Sequence, residues 1–156
     1  MTRHRPAVDA VNLHATACVL GDRGVLITGP SGAGKTLLAL SLVERDRAAG
    51  RFAMLVADDQ VLAAARGGKL LVFAPAAIGG LAEVRGFGPT DQEHEPAAVI
   101  DLEVVLSPAG PQARYQVGTT LRRLGVELPS ISVSAREPDG AMLAVRAALG
   151  SLHDAG

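Results

Sequence analysis

The sequence predicts a single α/β domain over residues 1–156, with a mixed β-sheet flanked by helices. Three observations predict it. The apolar run Gly24-Val25-Leu26-Ile27-Thr28 reads as a buried strand. After a glycine-rich turn, Thr36–Arg47 holds Leu37, Leu38, Leu40, Leu42 and Val43 with no Gly or Pro, which reads as a helix. A second apolar run, Phe52–Ala57, begins about thirty residues after the first, the length of a βαβ unit, so these two strands are expected to be parallel. Hairpin signals add antiparallel pairs: Gly21-Asp22-Arg23-Gly24 after the run Leu13–Leu20, and Arg66-Gly67-Gly68-Lys69 between Val61–Ala65 and Leu70–Ala74. Hairpins beside a parallel pair make the sheet mixed.

The remaining segments are read in order. Pro75–Gly80 is a loop. Ala97–Leu106 is a long strand and Ser107–Pro111 a turn. Gln112–Pro129 carries no clear period and is expected to be irregular. Ile131–Ser134 is a short alternating strand. Ala141–Leu152 places Met142, Val145, Leu149 and Leu152 on one face, as in a helix packed on a sheet.

Composition narrows the functional classes. Apolar residues make up 48% of the chain, enough for a real core. Lys and Arg number 15 against 16 Asp and Glu, a net charge of −1, so there is no electrostatic footprint for nucleic acid or an anionic membrane. Aromatics are too scarce for base-stacking platforms, and no apolar stretch has the length of a transmembrane helix. Cys18 is the only cysteine, which excludes a disulfide framework and fits a cytoplasmic setting. It sits in an apolar run and reads as a small buried hydrophobe. The basic start, Met1–Pro6, lacks an uninterrupted apolar region behind it and is not read as a signal peptide.

Residues Gly29-Pro30-Ser31-Gly32-Ala33-Gly34-Lys35-Thr36 fit Gly-x-x-x-x-Gly-Lys-Ser/Thr, the P-loop or Walker A motif. Strand, glycine-rich loop and helix occur in the order this motif requires. Backbone N–H groups of such a loop cradle phosphate oxygens, and the helix N-terminus adds partial positive charge. Lys35 can reach the β- and γ-phosphates, and the Thr36 hydroxyl can ligate Mg²⁺. ATP and Mg²⁺ are therefore the expected ligands. Asp58-Asp59 end the second apolar run, where ligands of open α/β sheets bind. One carboxylate can hold Mg²⁺ or its water, and the other can accept a proton from an attacking hydroxyl.

Four ordered segments resemble the catalytic domain of bacterial HPr kinase/phosphorylase: His14-x-Thr16, the P-loop, Leu55-Val56-Ala57-Asp58-Asp59, and Leu81-Ala82-Glu83-Val84-Arg85-Gly86-Phe87-Gly88. The resemblance runs in order over about residues 13–106 and more loosely beyond. It implies a mixed-sheet P-loop fold like that of phosphoenolpyruvate carboxykinase. It further implies an ATP- and Mg²⁺-dependent serine kinase acting on HPr or an HPr-like phosphocarrier protein, and a homo-oligomer, often a hexamer.

It also implies residue roles. Lys35 would contact the transferring phosphate. Asp59 would be the general base toward the serine hydroxyl and the general acid in the reverse direction. His14 and Arg85 would lie at the active site, with Arg114 matching a later active-site arginine. Glu83 would join Thr36 and Asp58 as a Mg²⁺ ligand. The chain departs from the family pattern in three places. The N-terminal domain of many members has no counterpart here. The signature reads Ala82, Val84 and Phe87 where the family has larger or different apolar residues. Of the C-terminal stretch tied to dephosphorylation, Arg136 alone matches, so the resemblance supports kinase activity further than phosphorylase activity. His94 lies among acidic residues in Pro89–Glu95 and is expected in a solvated loop. Two other readings share the P-loop: a kinase of small molecules, and an ATP-sensing regulator without turnover.

Overall fold

The computed structural model describes residues 10–76, 80–107 and 116–154. The strand leading to the P-loop, β3 (Arg23–Thr28), is buried along most of its length and lies between two partners. On one side is β2 (Thr16–Leu20), antiparallel, with Thr16 opposite Ile27 and Leu20 opposite Arg23. On the other is β9 (Ala97–Ser107), parallel, with Leu26 opposite Glu103. The helix α1 (Lys35–Ala48) starts directly behind the P-loop, and β4 (Ala53–Ala57) follows it. β4 pairs antiparallel with β2, so it runs in the same direction as β3 but is separated from it by one strand. The expected parallel relation holds in direction, and the first hairpin occupies the place between the two strands.

β5 (Val61–Arg66) and β6 (Lys69–Phe73) form the second expected hairpin. β9 is the hub. Its first residues pair antiparallel with β6, and its last ones, Glu103–Ser107, pair parallel with β11 (Val126–Ser134). A short strand, β1 (Val11–Leu13), caps β5. The single strand expected over Leu13–Leu20 is thus broken at His14-Ala15, where Ala15 N–H bonds back to Leu13 C=O. The break carries the chain from β1, at one end of the strand order, to β2, beside β4 at the other end. β7 (Leu81–Val84) and β8 (Gly88–Asp91) make a separate two-stranded hairpin.

A second expectation is corrected. Part of Gln112–Pro129 is ordered strand: β10 (Thr120–Arg123) pairs with β11, which itself begins at Val126. The turn between them holds Leu124 at φ 51° followed by Gly125. Asn or Asp is the usual signal for that left-handed position, and Leu gives none.

The order β1-β5-β6-β9-β3-β2-β4 curls. Val56 and Ala57 of β4 pack in one apolar cluster with Val61 and Ala63 of β5, from the far side of the sheet. The opposite face carries α1 and the C-terminal helix α2 (Pro138–Asp154) over Val25, Ile27, Leu102, Val104 and Val133. Both helices therefore cover one face, and the curled sheet covers its other face with its own strands. Met142 and Val145 are buried there and Leu149 and Leu152 pack beside them, as the spacing predicts. The helices are joined through Asp46, whose buried carboxylate accepts bonds from Arg51 (3.2 Å) and Arg146. Among the described residues no helix is long and apolar enough to cross a membrane.

Two close approaches give predictions. A Cβ at Gly24 would overlap the carbonyl oxygen of Val99 on β9. Gly24→Ala should destabilise the fold by about 3 kcal/mol in urea unfolding, because the obstacle is backbone and cannot rotate away. Asp46→Ala should cost about 2 kcal/mol by the same measurement, since it strips two guanidinium groups of their shared acceptor. Cys18 is fully buried, and burial first, then the Asp46 charge, push its thiol up from 9.0 to about 12. The sign follows: the buried neutral thiol stabilises the fold below pH 9, and this contribution is lost as pH rises from about 9 toward about 12. Urea midpoints over that alkaline window should fall less steeply for Cys18→Ala than for the parent.

Candidate functional site

The P-loop wraps a cleft of about 440 Å³ at the N-terminus of α1. Its lining includes Ser31, Gly32, Gly34, Lys35 and Thr36 from the loop, Asp58 and Asp59 after β4, and Glu83, Val84, Arg85 and Gly86 from the β7–β8 hairpin. The P-loop, the acidic pair and the hairpin motif, far apart in sequence, line one cleft.

Glycine is needed where the loop leaves β3. A Cβ on Gly29 would sit 2.5 Å from the carbonyl oxygen of Leu106 on β9. Lys35 is almost wholly buried, and its Nζ donates to the carbonyl oxygens of Gly29 (3.0 Å) and Pro30 (3.1 Å). The ammonium is thus held inside its own loop, on the path an anion would take. Arg85 reaches the loop from the other side, with Nη2 3.4 Å from Gly32 C=O.

The two acidic residues differ sharply. Asp58 is buried, 7% exposed, and its carboxylate is engaged on both oxygens. Oδ1 accepts the hydroxyls of Thr36 (2.7 Å) and Thr16 (2.9 Å), and Oδ2 accepts the backbone N–H of Glu83 (3.1 Å). Four segments meet on this one group. Asp59 turns outward. Its backbone is left-handed (φ 66°), a conformation Asp tolerates better than most residues. Its N–H donates to Thr16 Oγ1 at 3.2 Å. The side chain is 60% exposed at the cleft, with His14 Nε2 3.2 Å from Oδ1. His14 is able to sit there because the chain breaks between β1 and β2.

Thr16 is the residue whose importance the motif reading understated. Through one hydroxyl it donates to Asp58 and accepts from the Asp59 backbone, so it sets the two carboxylates apart. Its position two residues after His14 was the available signal. Arg114 lies outside the described residues. His94 is exposed, forms an isolated β-bridge with Leu55, and takes no part in the cleft.

Thr36, Asp58 and Glu83 supply hydroxyl and carboxylate oxygens, the donor type that hard cations prefer. Among the described residues no group of three or more His, Cys, Asp or Glu side chains converges as a metal cage. This donor set suits Mg²⁺, which takes one or two carboxylates and completes its shell with phosphate oxygens and water.

The sequence profile of the HPr serine kinase C-terminal domain matches residues 7–94. The HPr kinase/phosphorylase of Limosilactobacillus reuteri is 34% identical over 137 residues, covering 80% of this chain and 41% of the relative. That of Clostridium tetani is 36% identical over 95 residues, covering 60% of this chain and 29% of the relative. The chain thus spans less than half the length of these curated relatives. Among solved structures, the Hpr(Ser) kinase/phosphatase from Coxiella burnetii superposes with a TM-score of 0.75 at 25% identity, over 94% of this chain and 99% of that one. With the P-loop, the acidic pair and the hairpin gathered on one mixed sheet, the chain belongs to the HPr serine kinase C-terminal domain family.

Proposed function

We propose that this protein transfers the γ-phosphate of ATP to a serine hydroxyl of HPr or an HPr-like phosphocarrier protein, with Asp59 as the base. The observation that carries the reading is the division between the two neighbouring carboxylates. Asp58 is buried, with Oδ1 taken up by Thr16 and Thr36 and Oδ2 accepting one bond from the Glu83 N–H, which leaves that oxygen a lone pair for a cation but no path to an incoming hydroxyl. Asp59 presents its carboxylate at the cleft rim, steadied by His14. The family membership supports a kinase, and the names of the relatives supply HPr as the acceptor.

The residues divide the work as follows. The P-loop N–H groups and the α1 N-terminus receive the phosphates. Lys35 exchanges its bonds to the Gly29 and Pro30 carbonyls for phosphate oxygens, which costs little reorganisation because the ammonium is already inside the loop. Asp59 accepts the serine proton as the oxygen attacks in line. Arg85, carried on the hairpin against Gly32, balances charge spreading onto the transferring group. Thr36, Asp58 and Glu83 would hold Mg²⁺, which neutralises phosphate charge when bound with nucleotide. In the reverse direction a protonated Asp59 returns its proton to the serine oxygen as the phosphoryl group passes from that oxygen to the terminal phosphate oxygen of ADP.

A protein acceptor suits the geometry: the base is exposed at the rim rather than enclosed, so a side chain on a folded partner can reach it.

The deciding assay is transfer of labelled γ-phosphate from Mg-ATP to purified HPr-type protein. The parent should label serine. Asp59→Asn should lower kcat by at least about a hundredfold while ATP binding persists, as expected for loss of a general base. Lys35→Ala should lose both transfer and most ATP affinity. ATP binding with no label on any carrier would reject the phosphocarrier reading in favour of a small-molecule acceptor or an ATP sensor.

A further inference from the structure

The P-loop is gripped by a threonine at each end. Thr36, its last residue, donates to the buried carboxylate of Asp58. Thr28, the residue just before it, donates to the carboxylate of Glu103, with Oγ1 3.0 Å from Oε2. Glu103 lies on β9 and is 0% exposed. Its charge is met by Arg123 of β10 in a two-point fork, Nε to Oε1 at 3.0 Å and Nη2 to Oε2 at 2.5 Å. None of the motifs that define the cleft includes Glu103 or Arg123.

We propose that the Glu103–Arg123 pair is a positioning element for the nucleotide site, acting through Thr28 on the entry to the P-loop. The proposal rests on the P-loop binding nucleotide.

Three observations support it. First, the pair is an expensive way to fill this position if filling is its only role. Glu103 is fully buried and Arg123 is 31% exposed, and replacing an ion pair with a buried partner by apolar side chains of similar volume is often neutral or stabilising. The surroundings would accept such side chains, since Leu26, Leu128 and Val126 pack on the same face.

Second, the pair connects to the loop by a short chain of contacts. Arg123 forks onto Glu103, and Glu103 holds Thr28. Thr28 is bonded to Gly29, whose carbonyl oxygen holds Lys35 Nζ. The hydroxyl bond fixes the side chain of the last strand residue, and so the direction in which the backbone leaves β3. The Glu103 hydrogen bond is also the foremost reason the Arg123 guanidinium is held above its ordinary range.

Third, a glycine-rich loop loses much conformational freedom when it closes on phosphate. Anchoring both ends before the ligand arrives reduces that loss. The Asp58 anchor holds the exit; at the entry the backbone of Thr28 is already paired opposite Val105 of β9, and the Glu103 anchor adds a hold on its side chain. The clamp also extends, through Arg123, to the β10–β11 hairpin.

The test uses variants that break the link without emptying the core, with ATP titrated calorimetrically and transfer kinetics run in parallel. Thr28→Val keeps the β-branched shape and leaves Glu103 paired to Arg123. It should raise the ATP Kd and KM about threefold to tenfold, with the KM for the protein acceptor unchanged. The double variant Glu103→Met/Arg123→Leu removes both charges. It should keep a urea midpoint at or above that of the parent and show the same loss of ATP affinity. A merely structural pair would move the midpoint and leave the ATP Kd alone. Parent-like ATP affinity in Thr28→Val, or in a folded double variant, overturns the proposal by itself. A parent protein that fails to bind ATP overturns it together with the nucleotide reading, and the parent control separates the two cases.

Discussion

The carboxylate of Asp58 is the interaction on which the site depends. A buried charge is stable only when its lone pairs are met by donors. Here the donors come from β2, the first turn of α1 and the β7–β8 hairpin, while the acid itself directly follows β4. Satisfying one side chain therefore fixes the relative placement of four elements. The two-stranded hairpin shows the consequence most clearly, because it does not belong to the main sheet. It is held over the cleft by the Glu83 N–H on Asp58 and, farther along, by Glu95 N–H on Leu55 C=O.

The same constraint explains why adjacent aspartates have different chemistry. Residues that follow one another out of a strand point in different directions, and the left-handed turn at Asp59 exaggerates the divergence. One residue becomes an internal strut, the other a surface group beside His14. The strain is modest for Asp, since its short polar side chain suits that conformation better than a β-branched one would.

Much of this was legible in the sequence, for identifiable reasons. The P-loop is legible because phosphate cradling demands glycines and a lysine at set spacing. The hairpins at residues 21–24 and 66–69 are legible because their turns are written in Gly and charged residues. α2 is legible from the face shared by Met142, Val145, Leu149 and Leu152. The illegible parts share a cause: they depend on partners distant in sequence. The β10–β11 hairpin hides behind Leu124, which gives no turn signal. Placing both helices on one face follows from a curl that brings β4 and β5 together, and local periodicity does not report curl. Glu103 looks like an ordinary strand residue until its partner arrives from position 123, and Thr16 is marked only by its place two residues after His14 until Asp58 shows what it holds.

The long strand β9 has a consequence for how the chain comes to be folded. It exchanges β6 for β11 partway along its length while keeping β3 on its other side. Segments from the twenties, seventies, hundreds and one-thirties of the sequence therefore meet on a single ribbon. During synthesis the P-loop strand emerges early, but its parallel neighbour follows some seventy-five residues later, with Leu26 waiting for Glu103. Until then β3 has one bare edge and no loop-entry anchor. Such far-flung pairing slows closure and leaves strand edges open to wrong partners. The nascent phosphate loop is thus unfinished until about two thirds of these 156 residues have been made, and assembly of the fold and assembly of its site become one cooperative event.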